Sequence, residues 1–152
     1  MISIKNYWKT LPDFSWSNLL LRIPLALIFI NQGLAKLPFD PAGGAAFGIS
    51  SLVWWFVAYG EVLAGTGLLA GGVATLYRIR DIPYVAEIGD ALTRFSGIVM
   101  CCVATGVIWV VLKPESLLTF ILTDYMHFSL WIGGLYFALR GNWAVAVNKK
   151  QT

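Results

Sequence analysis

Charge is scarce in this chain. Only 12% of its 152 residues are Asp, Glu, Lys or Arg, whereas a soluble domain carries about 25%. Histidine is scarcer still, with one, His127, so bis-histidine haem ligation from this chain is excluded. His127 with Asp124, three residues apart, makes at most half a metal site, and no metal centre is expected. The two cysteines, Cys101 and Cys102, are adjacent and fall inside an apolar run. Adjacent cysteines bridge only with strain and there is no C-x-x-C, which argues against thiol redox chemistry. A P-loop, a G-x-G-x-x-G after a strand and a Ser/His/Asp set are all missing.

What fills the chain instead is apolar. Hydrophobic residues make up 58% and the mean hydropathy is +0.71. Four runs approach the ~20 residues that a membrane span needs. The expected fold is an all-α integral membrane four-helix bundle, a single domain over 1–152 with spans at about 19–37, 51–77, 92–112 and 123–139. Residues 1–16 mix Lys5 and Lys9 with aromatic and aliphatic residues and read as an interfacial segment. Residues 39–50 form a Gly/Pro/Ala loop and 81–90 a short polar loop.

The net charge of +3 and pI near 9.0 do not point to nucleic acid, because the basic residues sit at the ends of the apolar runs. With four spans, Lys5, Lys9, Arg22, Arg78, Arg80, Arg94, Arg140, Lys149 and Lys150 fall on one side, and only Lys36 and Lys113 on the other. By the positive-inside rule both termini are cytoplasmic, and the expected location is a bacterial-type inner membrane, crossed several times.

The second run holds a single ionisable group, Glu61. Ten residues of helix put it roughly 15 Å deep, near the middle of a ~30 Å hydrocarbon layer. A carboxyl group there needs a partner, a proton or a water-filled cavity. Gly60, Ala64, Gly67 and Gly71 form a small-residue stripe beside it, suited to close approach of another helix. Gly97, Cys101 and Thr105 repeat the device in the third run. In the first run Arg22, Leu25, Phe29, Gln32 and Lys36 share a face, as do Asp124, His127, Trp131, Gly134 and Ala138 in the fourth. For Arg22 and Lys36 the plain alternative is snorkelling from the two ends of the span.

The expected topology sends Gln32, Lys36, Glu61 and His127 to one level of the bilayer, in its outer half. Two readings stay open. In one, Glu61 hydrogen-bonds Gln32 or Lys36 and pins helix packing. In the other, the four residues line a pocket for a small polar or quinone-like molecule, since a quinone carbonyl needs a donor and a quinol a proton acceptor. A transport path is a third reading, though four short spans with few charges offer little to build it.

Arg22, then Gln32-Gly33-Leu34-Ala35-Lys36-Leu37, a Gly-rich loop, Glu61 with Gly65-Thr66-Gly67-Leu68-Leu69-Ala70-Gly71-Gly72, and Arg78 together resemble the DoxX family of small four-helix membrane proteins. The resemblance is clearest over the first half of the chain; the last two spans match in hydropathy. Gln32 and Ala26 stand where the family often has His and Gly. The resemblance implies an α-helical inner-membrane protein, some of whose relatives are membrane subunits of redox complexes such as thiosulfate:quinone oxidoreductase. The expected function is therefore a membrane subunit of a redox or respiratory-type complex, touching quinone or anchoring a catalytic partner. The alternative is a structural or assembly subunit that packs against another membrane protein with no chemistry of its own.

The charge count makes the topology testable. In a background without native cysteines, a cysteine placed after Arg78 should label from the cytoplasm and one after Lys113 from outside; the reverse pattern would overturn the orientation.

Overall fold

In a computed structural model the described residues are 15–74, 82 and 84–142. The interfacial segment up to residue 14, the end of the second run at 75–77, and Lys5, Lys9, Arg78, Arg80, Lys149 and Lys150 lie outside them. Among the described residues every regular element is helical. In chain order they are α1 (Ser15–Leu34), a 3-10 turn (Ala45–Phe47), α2 (Ser51–Val73), α3 (Val85–Gly106), a π-helical continuation of α3 (Val107–Leu112), α4 (Leu117–Thr123) and α5 (Tyr125–Arg140).

The helix starts follow from local chemistry. The Ser50 side chain accepts the Val53 N–H and the Ser116 side chain the Thr119 N–H, so α2 and α4 have hydroxyl N-caps. Asp124 caps α5 by accepting the His127 N–H at 3.0 Å. The π-helical segment ends where Lys113, at φ 47°, turns the chain into the left-handed region and donates its N–H to Ile108.

Three stretches differ from the sequence expectation. The first span stops as a regular helix at Leu34, because the Lys36 and Leu37 N–H groups bond three residues back, to Gly33 and Leu34, in tighter turns. Residues from Val85 to Asp90, polar enough to read as a loop, are the first turns of α3. On this stretch the Asp90 carboxylate meets Arg94 one turn on, at 2.8 Å, a pairing that helical spacing allows and that supports the helix modestly. Between the third and fourth runs, where 116–122 is too short to span and suggests an interfacial turn, the chain instead forms the capped helix α4.

Two helices, Ser51–Val73 and Val85–Leu112, are long and apolar enough to cross a membrane; Asn18–Leu34 is apolar but shorter. α1 packs on α2, α2 on α3 and α3 on α5, while α5 also touches α1. Leu25, Ala26, Phe29, Ala64, Leu68, Met100, Leu130 and Phe137 form the buried core between them.

Glycine sets how closely these helices approach. A Cβ on Gly65 would lie 2.7 Å from the Ala26 carbonyl oxygen, and one on Gly33 2.8 Å from that of Ala58, so α1 and α2 touch backbone to backbone. Between α3 and α5 a Cβ on Gly97 would lie 2.7 Å from the Gly134 oxygen. Between α2 and α3 the closeness is graded. A Cβ on Gly71 would be 2.8 Å from the Gly89 oxygen, and one on Gly67 2.5 Å from Ser96 Oγ. On Gly60 the nearest atom would be Val99 Cγ1 at 3.5 Å, and around Gly106 nothing lies within 4 Å. α2 and α3 are thus clamped at one end and parted at the other.

The clamped end is tied by Arg22, which is 2% exposed. Its Nη1 donates to the Leu68 carbonyl at 2.7 Å and to Thr93 Oγ1 at 2.9 Å. Nη2 donates to Asn142 Oδ1 at 2.7 Å, and Nη2 and Nε both reach Asn18 Oδ1. Asn142 in turn donates its amide to the Gly71 carbonyl and its backbone N–H to Asp90. Arg22 therefore does not snorkel; it is a buried knot joining α1, α2, α3 and the residue pair that follows α5.

The contrast along α2 and α3 gives a prediction. Gly97→Leu should lower the melting temperature of the detergent-purified protein, by the equivalent of about 1–3 kcal/mol for an overpacked contact. Gly60→Ala should leave it nearly unchanged, because its Cβ has ordinary room.

Candidate functional site at the parted end of two helices

Where α2 and α3 part, a cavity of about 1080 Å³ opens. Its wall is overwhelmingly apolar. Four of the lining side chains, Phe56, Leu63, Phe95 and Ile98, are at least half exposed on the outside of the molecule. The cavity therefore opens sideways, through the apolar surface between α2 and α3, and not only at the helix ends. Such a volume is at the upper end of the ~300–1,000 Å³ of small-molecule clefts.

Gln32, Lys36, Glu61 and His127 all border this one cavity. Lys36 follows the last turn of α1, and its Nζ reaches Glu61 Oε2 at 2.6 Å. It also donates to the backbone carbonyl of Gln32 at 2.9 Å and stands 5.7 Å above the Trp54 ring. The Lys36 side chain is 16% exposed and that of Glu61 6%. Glu61 thus has a cation as its partner in a wall that is mostly apolar. Gln32, Lys36 and Glu61 do form one group, but Gln32 contributes its main-chain oxygen to it and not its amide.

His127 borders the same cavity from the first turn of α5. Its Nδ1 lies 2.6 Å from Asp124 Oδ2. A carboxylate only accepts, so Nδ1 carries a hydrogen; in the neutral form of the ring Nε2 is then an acceptor. Further along the same face Trp131 donates its indole N–H to Thr105 Oγ1, which holds α5 to α3 below the histidine.

In the small-residue stripe Ala64, Gly67 and Gly71 are buried, with Gly67 and Gly71 against α3, and Gly60 is half-buried; Gly60, Ala64 and Gly67 also line the cavity. Gly33 and Gly65, which bring α1 onto α2, fall outside that stripe, although both stand in the motif quoted above. The sequence marks Arg22 by its place on a helix face and in the DoxX-like pattern, but not by its partners. One of its main partners, Asn142, is 120 residues away, and no local spacing announces it.

The Lys36–Glu61 pair, the glycine contacts between α1 and α2 and the loop that joins them form one continuous segment. A DoxX family model matches residues 17–77. The segment holding Gln32, Lys36 and Glu61 is therefore DoxX-like, while His127 lies outside the match. No curated protein and no solved structure matches the chain. With the DoxX match and two helices of spanning length, the chain is a small membrane protein in contact with lipid.

Removing one member of the ion pair should cost more than removing both. Glu61→Leu leaves the Lys36 ammonium without its counter-charge. It should destabilise the purified protein by up to about 3 kcal/mol, the low end for a broken buried pair, because Lys36 keeps some access to solvent. The double variant Lys36→Met/Glu61→Leu should recover most of that loss. Thermal unfolding in one detergent, read for both variants, decides it.

Proposed function

We propose that this protein is a membrane subunit of a redox or respiratory-type complex and that its sideways-opening cavity takes a quinone-like molecule. The observation that carries the reading is the Lys36–Glu61 pair at 2.6 Å in the wall of an apolar cavity whose mouth is on the apolar outer surface. A ligand suited to this place dissolves in hydrocarbon and carries a compact head that both donates and accepts hydrogen bonds. Lys36 supplies a donor, Glu61 an acceptor, and His127 Nε2 a second acceptor from α5. Because the ion pair is neutral as a whole, the site suits an uncharged head better than an anionic one.

In the proposed arrangement α1, α2, α3 and α5 cross a bacterial-type inner membrane as a four-helix bundle, with both termini in the cytoplasm. The nine-to-two distribution of basic residues supports this orientation. Under it the cavity lies in the outer half of the bilayer and the Arg22 knot toward the cytoplasm. A partner subunit would supply or remove the electrons. The competing view, a pure assembly subunit, relies on the small-residue stripes as contacts for another protein. Those stripes are largely taken up inside the chain, by α2 against α3 and by α3 against α5.

The test is binding. A benzoquinone with a decyl tail, titrated into the protein in lipid nanodiscs, should quench tryptophan fluorescence saturably, since Trp54 and Trp55 border the cavity. Lys36→Met/Glu61→Leu should weaken that binding about tenfold, as expected for a lost hydrogen bond of ~1.4 kcal/mol. Saturation identical in the double variant would leave the pair as a packing device.

A further inference from the structure

A second, shallower depression of about 510 Å³ lies at the parted end of the helices, lined by polar groups from Lys113, Glu115, Thr119, Thr123 and Asp124. It is separate from the apolar cavity, yet one hydrogen bond joins the two. His127 borders the cavity, Asp124 borders the depression, and Nδ1 and Oδ2 of the pair are 2.6 Å apart. The two side chains are 22% and 25% exposed, so each is seated in the wall and neither is free in solvent. Asp124 Oδ1 also accepts the His127 backbone N–H at 3.0 Å, which fixes the carboxylate against the turn that carries the ring.

We infer that Asp124 and His127 form a proton relay between the apolar cavity and the surface at the Lys113–Glu115 end. The inference rests on the cavity being a ligand site, as proposed above, and adds the route by which that site exchanges protons. The step balances without any other reactant. His127 Nε2 takes a proton from the cavity side, Nδ1 passes its own hydrogen to Asp124 Oδ2, and Asp124 gives it to water in the depression. The ring is left as the other neutral tautomer, with its hydrogen on Nε2. In the other direction the same atoms deliver a proton to the cavity.

The charged groups around the pair suit this use. Glu61 on α2 and Lys36 after α1 border the cavity together with His127, and Lys113 and Glu115 border the depression together with Asp124. Besides the relay residues themselves, each side thus carries one cation and one carboxylate. A purely structural N-cap would need Asp124 Oδ1 alone. It would not require the second oxygen to hold a ring nitrogen that borders a different cavity.

His127 is the chain's single histidine, so its imidazole can be followed by nitrogen NMR in the whole chain labelled with 15N-histidine. The protein is placed in lipid nanodiscs with the decyl-benzoquinone present to fill the cavity. The wild type should show the hydrogen on Nδ1 and rapid exchange of that hydrogen with water. Asp124→Asn keeps a good N-cap but removes the basic oxygen, and should slow the exchange by about 10²-fold, the size of a lost general-base contribution. Glu115→Gln should leave the rate close to wild type. An unchanged rate in Asp124→Asn would overturn the relay, because His127 would then reach water through the cavity itself. Quinone quenching measured on the same samples separates the two ideas. Binding retained with slowed exchange supports the relay; binding retained with unchanged exchange ends the relay alone; no binding in the wild type ends the ligand reading as well.

Discussion

Everything in this molecule depends on how polar groups are satisfied where water is scarce, and the Arg22 guanidinium is the sharpest case. Its three nitrogens reach a carbonyl on α2, a hydroxyl on α3, an asparagine on α1 and another just past α5. None of these partners is a carboxylate. The charge is held by neutral dipoles, with the Phe137 ring centroid 4.7 Å from the guanidinium carbon. Losing any of them leaves a buried donor with no replacement from solvent. The knot therefore fixes the register of three helices at once, and glycines can bring their backbones together only because that register is fixed.

The two ends of the molecule divide the work. At the Arg22 end side-chain bonds and glycine contacts leave no room, and the polar groups are saturated by one another. At the Lys36 end the helices part, and the polar groups are few, paired and set in the walls of open space. A saturated network is suited to holding a shape, whereas a charge pair at a cavity wall keeps lone pairs and hydrogens that a visiting molecule can reach. Both are built from the same scarce stock of ionisable residues, which is why composition alone cannot tell one end from the other.

Much of this is legible in the sequence because hydrophobic runs and helical spacing are local signals. The runs give α2 and α3 directly, and counting residues from Ser51 gives the depth of Glu61 along its helix. Once the runs alternate in direction, Gln32, Lys36, Glu61 and His127 must arrive at one level, and all four border one cavity. What escapes is non-local. Asn142 lies beyond the last apolar run and looks like the start of a tail, yet it bonds Arg22, Thr93 and Gly71. The first turns of α3 look like a loop because a window of hydropathy penalises Glu87 and Asp90. It takes no account of the i,i+4 spacing that lets Asp90 meet Arg94 on one helix face. Gly33 and Gly65 sit off the stripe beside Glu61, because a glycine's partner backbone is not written next to it.

The graded spacing of α2 and α3 also has a mechanical meaning. A pair of rods pinned at one end and separated at the other moves most easily as a scissor about the pin. Here the pin is the contact of Gly71 with Gly89 and Thr93, and the free arms run from Gly60 and Val99 toward Gly106. A small change of angle at the pin becomes a larger change of width at the mouth, by simple leverage. The arms carry exposed apolar side chains, Phe56 and Leu63 on one and Phe95 and Ile98 on the other, so the movable part of the pair is also its greasiest surface.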